Sequence, residues 1–128
     1  MSDTPDGSDA ADDAGAIVTA FCDAWTRGDA DAVMAAFQPD ATYHNIPWEP
    51  LVGVDAIDGF VRPFLETSTI GFEILHQVVD GDLVMNERID TLDLGEGPKS
   101  IPVMGVFELR DGKIAAWRDY FDVKMFTG

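Results

Sequence analysis

The sequence predicts an α+β fold, with helices first and then a curved, mixed and mainly antiparallel sheet that wraps around them as a cone. Apolar residues in the first half recur mostly at intervals of three and four, and from Phe72 onward they alternate with a period of two. Asp-Gly and Gly-rich turns separate the alternating segments, as in consecutive hairpins. Helices followed by hairpins are typical of an antiparallel sheet with helices on one side.

Two helices are predicted at the start of the domain. The first begins near Ala14 and stops at Gly28, with an apolar side formed by Ile17, Val18, Phe21, Cys22 and Trp25. Asp29 can cap the second helix, which is shorter and ends before Pro39. Its apolar side is Ala30, Val33, Met34 and Phe37.

A short strand over 41–45 and a Pro-broken loop over 46–50, which carries Trp48, precede a third helix. This helix begins near Asp55, and Pro63 predicts a kink or an early end. Its apolar side is Ile57, Phe60, Val61, Phe64 and Leu65. Four strands follow, over residues 72–79, 83–92, 101–109 and 114–121.

The length of 128 residues allows one domain, which we place at 14–128. Residues 1–13 are rich in Asp, Ser, Gly and Ala, too polar to offset the entropy of ordering, and are expected to form a disordered acidic tail. No apolar run is long enough to span a membrane, and the acidic start does not resemble a secretory signal. A single cysteine, Cys22, cannot form an internal disulfide, so a cytoplasmic location is expected.

The net charge of -16 reflects 24 acidic and 8 basic side chains. Such a surface repels phosphate backbones and anionic lipids, so neither nucleic acid nor a membrane is an expected partner. The sequence also lacks a nucleophile-elbow serine motif, a phosphate-binding glycine loop and a zinc-peptidase motif. The chemistry that remains is that of carboxylates.

Strand alternation brings an acid and a base to one face. Arg88 and Asp90 point the same way on the second hairpin strand, and Asp119 shares the apolar face of the last strand with Trp117 and Phe121. An exposed Arg-Asp pair is common and contributes little, so Arg88 and Asp90 alone do not define a site. An inward Asp119, however, needs a cation, and the guanidinium fork of Arg88 can bind two carboxylates.

Tyr43 and Asn45 project together from the short strand, either as a site or as a satisfied hydrogen bond in the core. By the same alternation His44 faces away, and His76 is treated as another surface or packing residue. Two scattered histidines do not make a metal site.

These segments resemble the limonene-1,2-epoxide hydrolases over roughly residues 17–126. The resemblance rests on Tyr43-His44-Asn45-Ile46-Pro47, Glu87-Arg88-Ile89-Asp90, Gly112-Lys113-Ile114 and Trp117-Arg118-Asp119-Tyr120-Phe121-Asp122. It implies the cone-shaped fold of the nuclear-transport-factor-2-like (SnoaL-like) superfamily, a homodimer, and no cofactor or metal. It also implies roles: Asp119 as the general base toward water, Tyr43 and Asn45 as water ligands, Asp90 as the proton donor to the epoxide oxygen, and Arg88 as the bridge.

Elementary electrostatics agrees with this division of roles. Arg88 neutralises one buried carboxylate, so a second ionisation would leave uncompensated charge in an apolar cone, and one proton is expected to stay at neutral pH. The pocket walls expected from the strand faces and the helices are Trp25, Leu92, Val103, Phe121 and Phe126. Such walls favour a nonpolar epoxide as substrate.

Two other functions remain open. A ketosteroid isomerase-like or polyketide cyclase-like enzyme also uses Asp and Tyr inside a cone, although a cation that links two carboxylates has no obvious use there. A non-catalytic module that binds a small molecule is the other alternative, because a fold does not determine function.

Overall fold

The predicted order of helices followed by a mainly antiparallel sheet is confirmed by the computed structural model, which describes the backbone of residues 6–127 and the side chains of residues 13–125. The helices are α1 (Asp6–Arg27), α2 (Ala30–Ala35), α3 (Val54–Thr67) and α4 (Val123–Thr127). The strands are β1 (Phe37–Asn45), β2 (Leu51–Val52), β3 (Thr69–Asp80), β4 (Leu83–Asp93), β5 (Pro98–Arg110) and β6 (Lys113–Tyr120).

Over the described residues the strands form one six-stranded sheet in the order β2-β1-β6-β5-β4-β3. Strands β3 to β6 are successive antiparallel neighbours, and β2 is antiparallel to β1. The pairing of β1 with β6 is parallel, which makes the sheet mixed. The first strand of the chain therefore lies directly beside the last one.

The core lies between the sheet and helices α1 and α3, and aromatic rings fill much of it. Phe21 of α1 contacts Trp117 edge to face at a centroid distance of 5.0 Å, and Trp25 lies 5.8 Å from the same ring. Ile57 and Val61 of α3 are fully buried. The inner face of β4 is also buried, but it is largely polar. Its alternate residues are Val84, Asn86, Arg88 and Asp90.

The second helix is shorter than predicted. Asp29 caps it as expected, accepting a hydrogen bond from the Ala32 amide at 3.1 Å, but Phe37 belongs to β1 and Pro39 lies inside that strand. Phe37 is 3% exposed and packs edge to face on Phe21, so burial on the sheet side outweighs its helical spacing. The pairing of β1 with β6 is irregular between Phe37 and Thr42, where a proline is tolerated.

Other boundaries also differ from the sequence prediction. Helix α1 begins at Asp6 rather than near Ala14, since extending an existing helix over alanines costs little. Residues 1–5 lie outside the described part of the chain, and the division at 13/14 stays a prediction. Helix α3 continues through Pro63 to Thr67 because its buried face holds it, and β2 and α4 were not predicted. None of the described helices is long and apolar enough to cross a membrane.

Candidate active site

Arg88 lies at the centre of a buried polar cluster on the inner face of the sheet. Its side chain is fully buried, and both carboxyl groups beside it, those of Asp90 and Asp119, are at least 94% buried. The Arg88 Nε and Nη2 donate to the two oxygens of Asp90, both at 2.9 Å, and Nη2 also donates to Asp119 Oδ2 at 2.8 Å. One guanidinium therefore bridges two carboxyl groups.

The bridge spans a strand. Arg88 and Asp90 come from β4 and Asp119 from β6, with β5 between them, and Gly105 of β5 is the register partner of both Asn86 and Asp119. A Cβ atom at Gly105 would collide with Arg88 Nη1 and would lie 2.9 Å from Asn86 Oδ1 and 3.0 Å from Asp119 Oδ1. Glycine inside a strand often marks such a close approach, and this signal was available in the sequence but was not used.

Tyr43 and Asn45 reach the cluster from β1, which runs parallel to β6. Asn45 pairs in register with Asp119, and Tyr43 with Trp117, whose indole is stacked on the Tyr43 ring at 4.1 Å. Tyr43 and Asn45 both border the same cavity as Asp119. All five polar residues singled out in the sequence are thus brought together.

The two histidines lie apart from this cavity, as their positions in the strands predicted. His44 Nε2 is 2.8 Å from the Trp48 carbonyl oxygen, and His76 Nδ1 is 2.9 Å from Glu87 Oε1. Neither ring is among the residues that border the cavity.

Burial shapes the charge state of the cluster. It raises the pKa of Asp90 from 3.8 to about 6, against the opposing effect of Arg88, and raises the pKa of Asp119 as well. Burial alone would lower the pKa of Arg88, but the two carboxylates raise it above its usual value, so the guanidinium stays charged. Burial and the neighbouring Asp119 raise the pKa of the Tyr43 phenol, which stays neutral. The carboxyl pair therefore binds a proton more readily than two exposed aspartates.

The cavity beside the cluster has a volume of about 230 Å³ and is mostly apolar. Four of the predicted wall residues border it: Trp25, Leu92, Val103 and Phe121. The fifth, Phe126, belongs to α4, but its side chain lies outside the described residues. The sequence prediction missed the other apolar wall residues, which are Trp48, Phe60, Phe64, Ile70, Phe72, Leu94 and Ile101.

Three further residues act on the charged groups and were not predicted. Trp117 Nε1 donates to Asp119 Oδ1 at 2.7 Å, and the Asn86 Oδ1 accepts from Arg88 Nη1 at 3.1 Å. The ring of Phe72 lies 4.5 Å from the Arg88 guanidinium carbon, a cation-π distance. Trp117 and Asn86 lie two residues before Asp119 and Arg88, so the period of two placed them on the same face and was the signal for both.

The fold and the site define a class: a cone whose apolar cavity is bordered by two buried carboxyl groups that share one guanidinium. Such a pair can supply an acid and a base to one bound molecule, because burial in an apolar site favours one proton on the pair. Among the described residues no group of three or more His, Cys, Asp and Glu side chains is arranged to hold a metal ion.

Comparison with known proteins gives the family. Residues 12–128 match the limonene-1,2-epoxide hydrolase catalytic domain. Epoxide hydrolase EphG of Mycobacterium tuberculosis is 39% identical over 114 residues, which cover 87% of this chain and 75% of that protein. The solved structure of an M. tuberculosis LEH-like epoxide hydrolase has a TM-score of 0.84 at 34% identity and covers 96% of this chain and 90% of that one.

A Catenulispora acidiphila protein with a ketosteroid isomerase-like fold, solved with trimethylamine, has a TM-score of 0.75 at 23% identity and covers 84% of this chain and 85% of that one, which shows the fold alone. The chain belongs to the limonene-1,2-epoxide hydrolase family and is an epoxide hydrolase. The resemblance noted in the sequence is confirmed.

Proposed function

We propose that this enzyme adds water directly to a nonpolar epoxide, terpene-like or cyclic, and forms a vicinal diol without a cofactor. The observation that carries the proposal is the pair of buried carboxyl groups that are bound to Arg88 and border an apolar cavity. Ring opening by water needs a base to take a proton from water and an acid to protonate the leaving oxygen. A pair that shares one proton supplies both.

The proposed base is Asp119. Its two oxygens accept hydrogen bonds from different residues, Trp117 and Arg88, and both bonds favour the ionised form. Both oxygens of Asp90 accept from Arg88 at 2.9 Å, and burial raises the pKa of Asp90 to about 6 and the pKa of Asp119 as well. The family resemblance makes Asp90 the acid, and a carboxyl group with a raised pKa suits that role. The proton is therefore assigned to Asp90, and the negative charge to Asp119.

Tyr43 and Asn45 complete the arrangement as water ligands. Asn45 lies beside Asp119 in the sheet and Tyr43 one residue further along the same face, so a water within reach of all three is held for attack. The water oxygen bonds to an epoxide carbon while its proton passes to Asp119. The carbon-oxygen bond of the ring breaks, and the epoxide oxygen takes the proton of Asp90. Transfer of one proton from Asp119 back to Asp90 restores the starting state.

The walls support a nonpolar substrate. Trp25, Leu92, Val103 and Phe121 present carbon surface to the cavity, which is mostly apolar. Burial of apolar surface would hold the substrate, and the position of the ring against Asp90 would decide which carbon is attacked.

A panel of terpene, cycloalkene and aryl epoxides, scored for diol against buffer, tests the reaction. Asp119→Asn and Asp90→Asn should each lower kcat by at least about 100-fold with the fold intact, because each role is worth about 100- to 10,000-fold. Asp80→Asn, an exposed carboxylate at the end of β3, is the matched control and should leave turnover unchanged. If folded protein formed no diol from any epoxide of the panel, the proposed reaction would be wrong.

A single turnover in heavy-oxygen water, with enzyme in excess, tests direct attack. Label should enter the diol in that first turnover, and none should enter the protein. An unlabelled first diol, followed by label on Asp119 or Asp90 in later turnovers, would refute direct attack by water and indicate a covalent ester intermediate.

The assembly and location are also proposals. We expect a homodimer in the cytoplasm, with each cavity formed within one subunit, on the basis of the family resemblance and the general preference for two-fold assembly. Light scattering that gives a monomer at micromolar concentration would refute the dimer and leave the chemistry untouched.

A further inference from the structure

We propose that Asn86 is a positioning residue for Arg88, and that Gln77 fixes the orientation of the Asn86 amide. The inference rests on the proposed acid-base function and adds a third support to the guanidinium. Asn86 is 1% exposed and does not border the substrate cavity, so its contacts are with the protein alone.

A chain of hydrogen bonds connects helix α1 to the catalytic arginine. Gln77 Nε2 donates to the Gly15 carbonyl oxygen at 3.3 Å and to Thr19 Oγ1 at 3.2 Å. Gln77 Oε1 accepts from Asn86 Nδ2 at 3.1 Å, and Asn86 Oδ1 accepts from Arg88 Nη1 at 3.1 Å. Each polar atom of the two amides thus has a partner.

The two ends of this series of hydrogen bonds require the same donor-to-acceptor direction along it. The backbone carbonyl of Gly15 can only accept a hydrogen bond, and the Arg88 guanidinium can only donate one. If either amide rotated by half a turn, an N–H would face the guanidinium or an oxygen would face the carbonyl. The amides are therefore held in one orientation, with an oxygen directed at Arg88.

A neutral acceptor at position 86 has a specific advantage. Asp90 and Asp119 occupy the other edges of the guanidinium, and their charges change during each turnover. The Asn86 amide stays neutral and keeps its hydrogen bond to Arg88 throughout, so one support of the guanidinium does not vary. A carboxylate at position 86 would add a third negative charge to the cluster and raise the pKa of the other two carboxyl groups.

Asn86→Asp tests the charge argument. The substitution keeps the size and the acceptor toward Arg88 and replaces the donor toward Gln77 by an oxygen. It should raise the carboxyl pKa values of Asp90 and Asp119, measured by carbon-13 NMR of the side chains without substrate. The limbs of the pH profile of kcat/KM should move upward with them, by about one pH unit or more. Titrations that stay in place would contradict the charge argument.

Asn86→Leu and Gln77→Leu test the positioning argument. The first leaves Arg88 Nη1 without its acceptor, and the second frees the Asn86 amide to rotate. Both should lower kcat by about 10- to 100-fold with KM little changed, since a catalytic group misplaced by about 1 Å can cost about 100-fold. Thr91→Val, which removes the exposed hydrogen bond of Thr91 to Ser100 on the same strand, is the control and should keep full activity.

The outcomes separate the two proposals. If the wild-type protein converts no epoxide, the proposed function fails, and the NMR titration of Asn86→Asp still decides the effect on the carboxyl groups. If the wild type is active and Asn86→Asp and Gln77→Leu keep its pH profile, carboxyl pKa values and kcat, the positioning role is wrong. If Asn86→Leu does not fold, Asn86→Asp and Gln77→Leu still test the positioning role.

Discussion

Replacing Gly105 by alanine should disable the enzyme while leaving most of its structure in place. Gly105 lies on β5, where β5 passes between the two strands that carry the carboxyl groups. A methyl group there would meet Arg88 Nη1, Asn86 Oδ1 and Asp119 Oδ1 at once. Arg88 Nη1 donates to Asn86 Oδ1, and Asp119 Oδ1 accepts from Trp117 Nε1 while its Oδ2 accepts from Arg88 Nη2. None of the three atoms can therefore move without disturbing a hydrogen bond.

The magnitude follows from the distances. Ordinary contact between a carbon atom and its neighbours begins near 3.5 Å, so Arg88 Nη1 would have to retreat by about 1 Å and the two oxygens by about 0.5 Å. A shift of about 1 Å in a catalytic group can lower the rate by about 100-fold. Overpacking of a well-packed interior costs about 1–3 kcal/mol in the free energy of unfolding.

The assay is diol formation by Gly105→Ala, with its melting temperature measured in parallel. Gly71→Ala is the matched control, because Gly71 also lies in a strand, with no other atom within 4 Å of an added Cβ. We expect kcat/KM to fall by about 100-fold in the first variant and to stay unchanged in the second. Gly105→Ala with the activity of the wild type would refute the account of how Arg88 reaches Asp119.

Three further predictions concern pH, a hydrogen bond and salt. If Asp90 is the proposed acid, it acts only when protonated, and with a pKa of about 6 kcat/KM should fall about tenfold per unit as pH rises above that value; a flat profile to pH 8 would contradict this role. Trp117→Phe keeps an aromatic ring, although a smaller one, and removes the N–H from Asp119, so the pKa of Asp119 and the acid limb of the profile should move upward. Added salt should raise the melting temperature, because it screens the repulsion within a net charge of -16, and a melting temperature independent of salt would contradict that reasoning.

The polar cluster could be predicted from the sequence because every second side chain of a strand points to the same face of the sheet. That rule placed Arg88 beside Asp90 and directed Asp119 inward, and the structure has all three on one face. The same rule placed Asn86 and Trp117 on that face, but it does not say which inward polar residue touches which, since contacts across strands depend on register. Register also explains why the role of Gly105 was missed, because its partners lie on two different strands.

Two of the differences from the sequence prediction, the start of β1 and the presence of β2, are decided by contacts distant in the chain. Phe37 has helical spacing but is buried against Phe21 and pairs with Ile114, a residue far along the sequence. The two-residue strand β2 exists only because β1 offers it an edge. Local propensity carries no information about either contact.

The parallel pairing of β1 with β6 has a consequence for how the enzyme is made. Asn45 and Asp119 are neighbours in space but come from opposite halves of the chain, and the Ile46 amide donates to the Asp119 carbonyl at 3.0 Å. Joining them closes a long loop, which is slower than forming the hairpins from β3 to β6. In the proposed mechanism the site of the attacking water is therefore completed only when β6 pairs with β1, one of the most nonlocal contacts among the described residues.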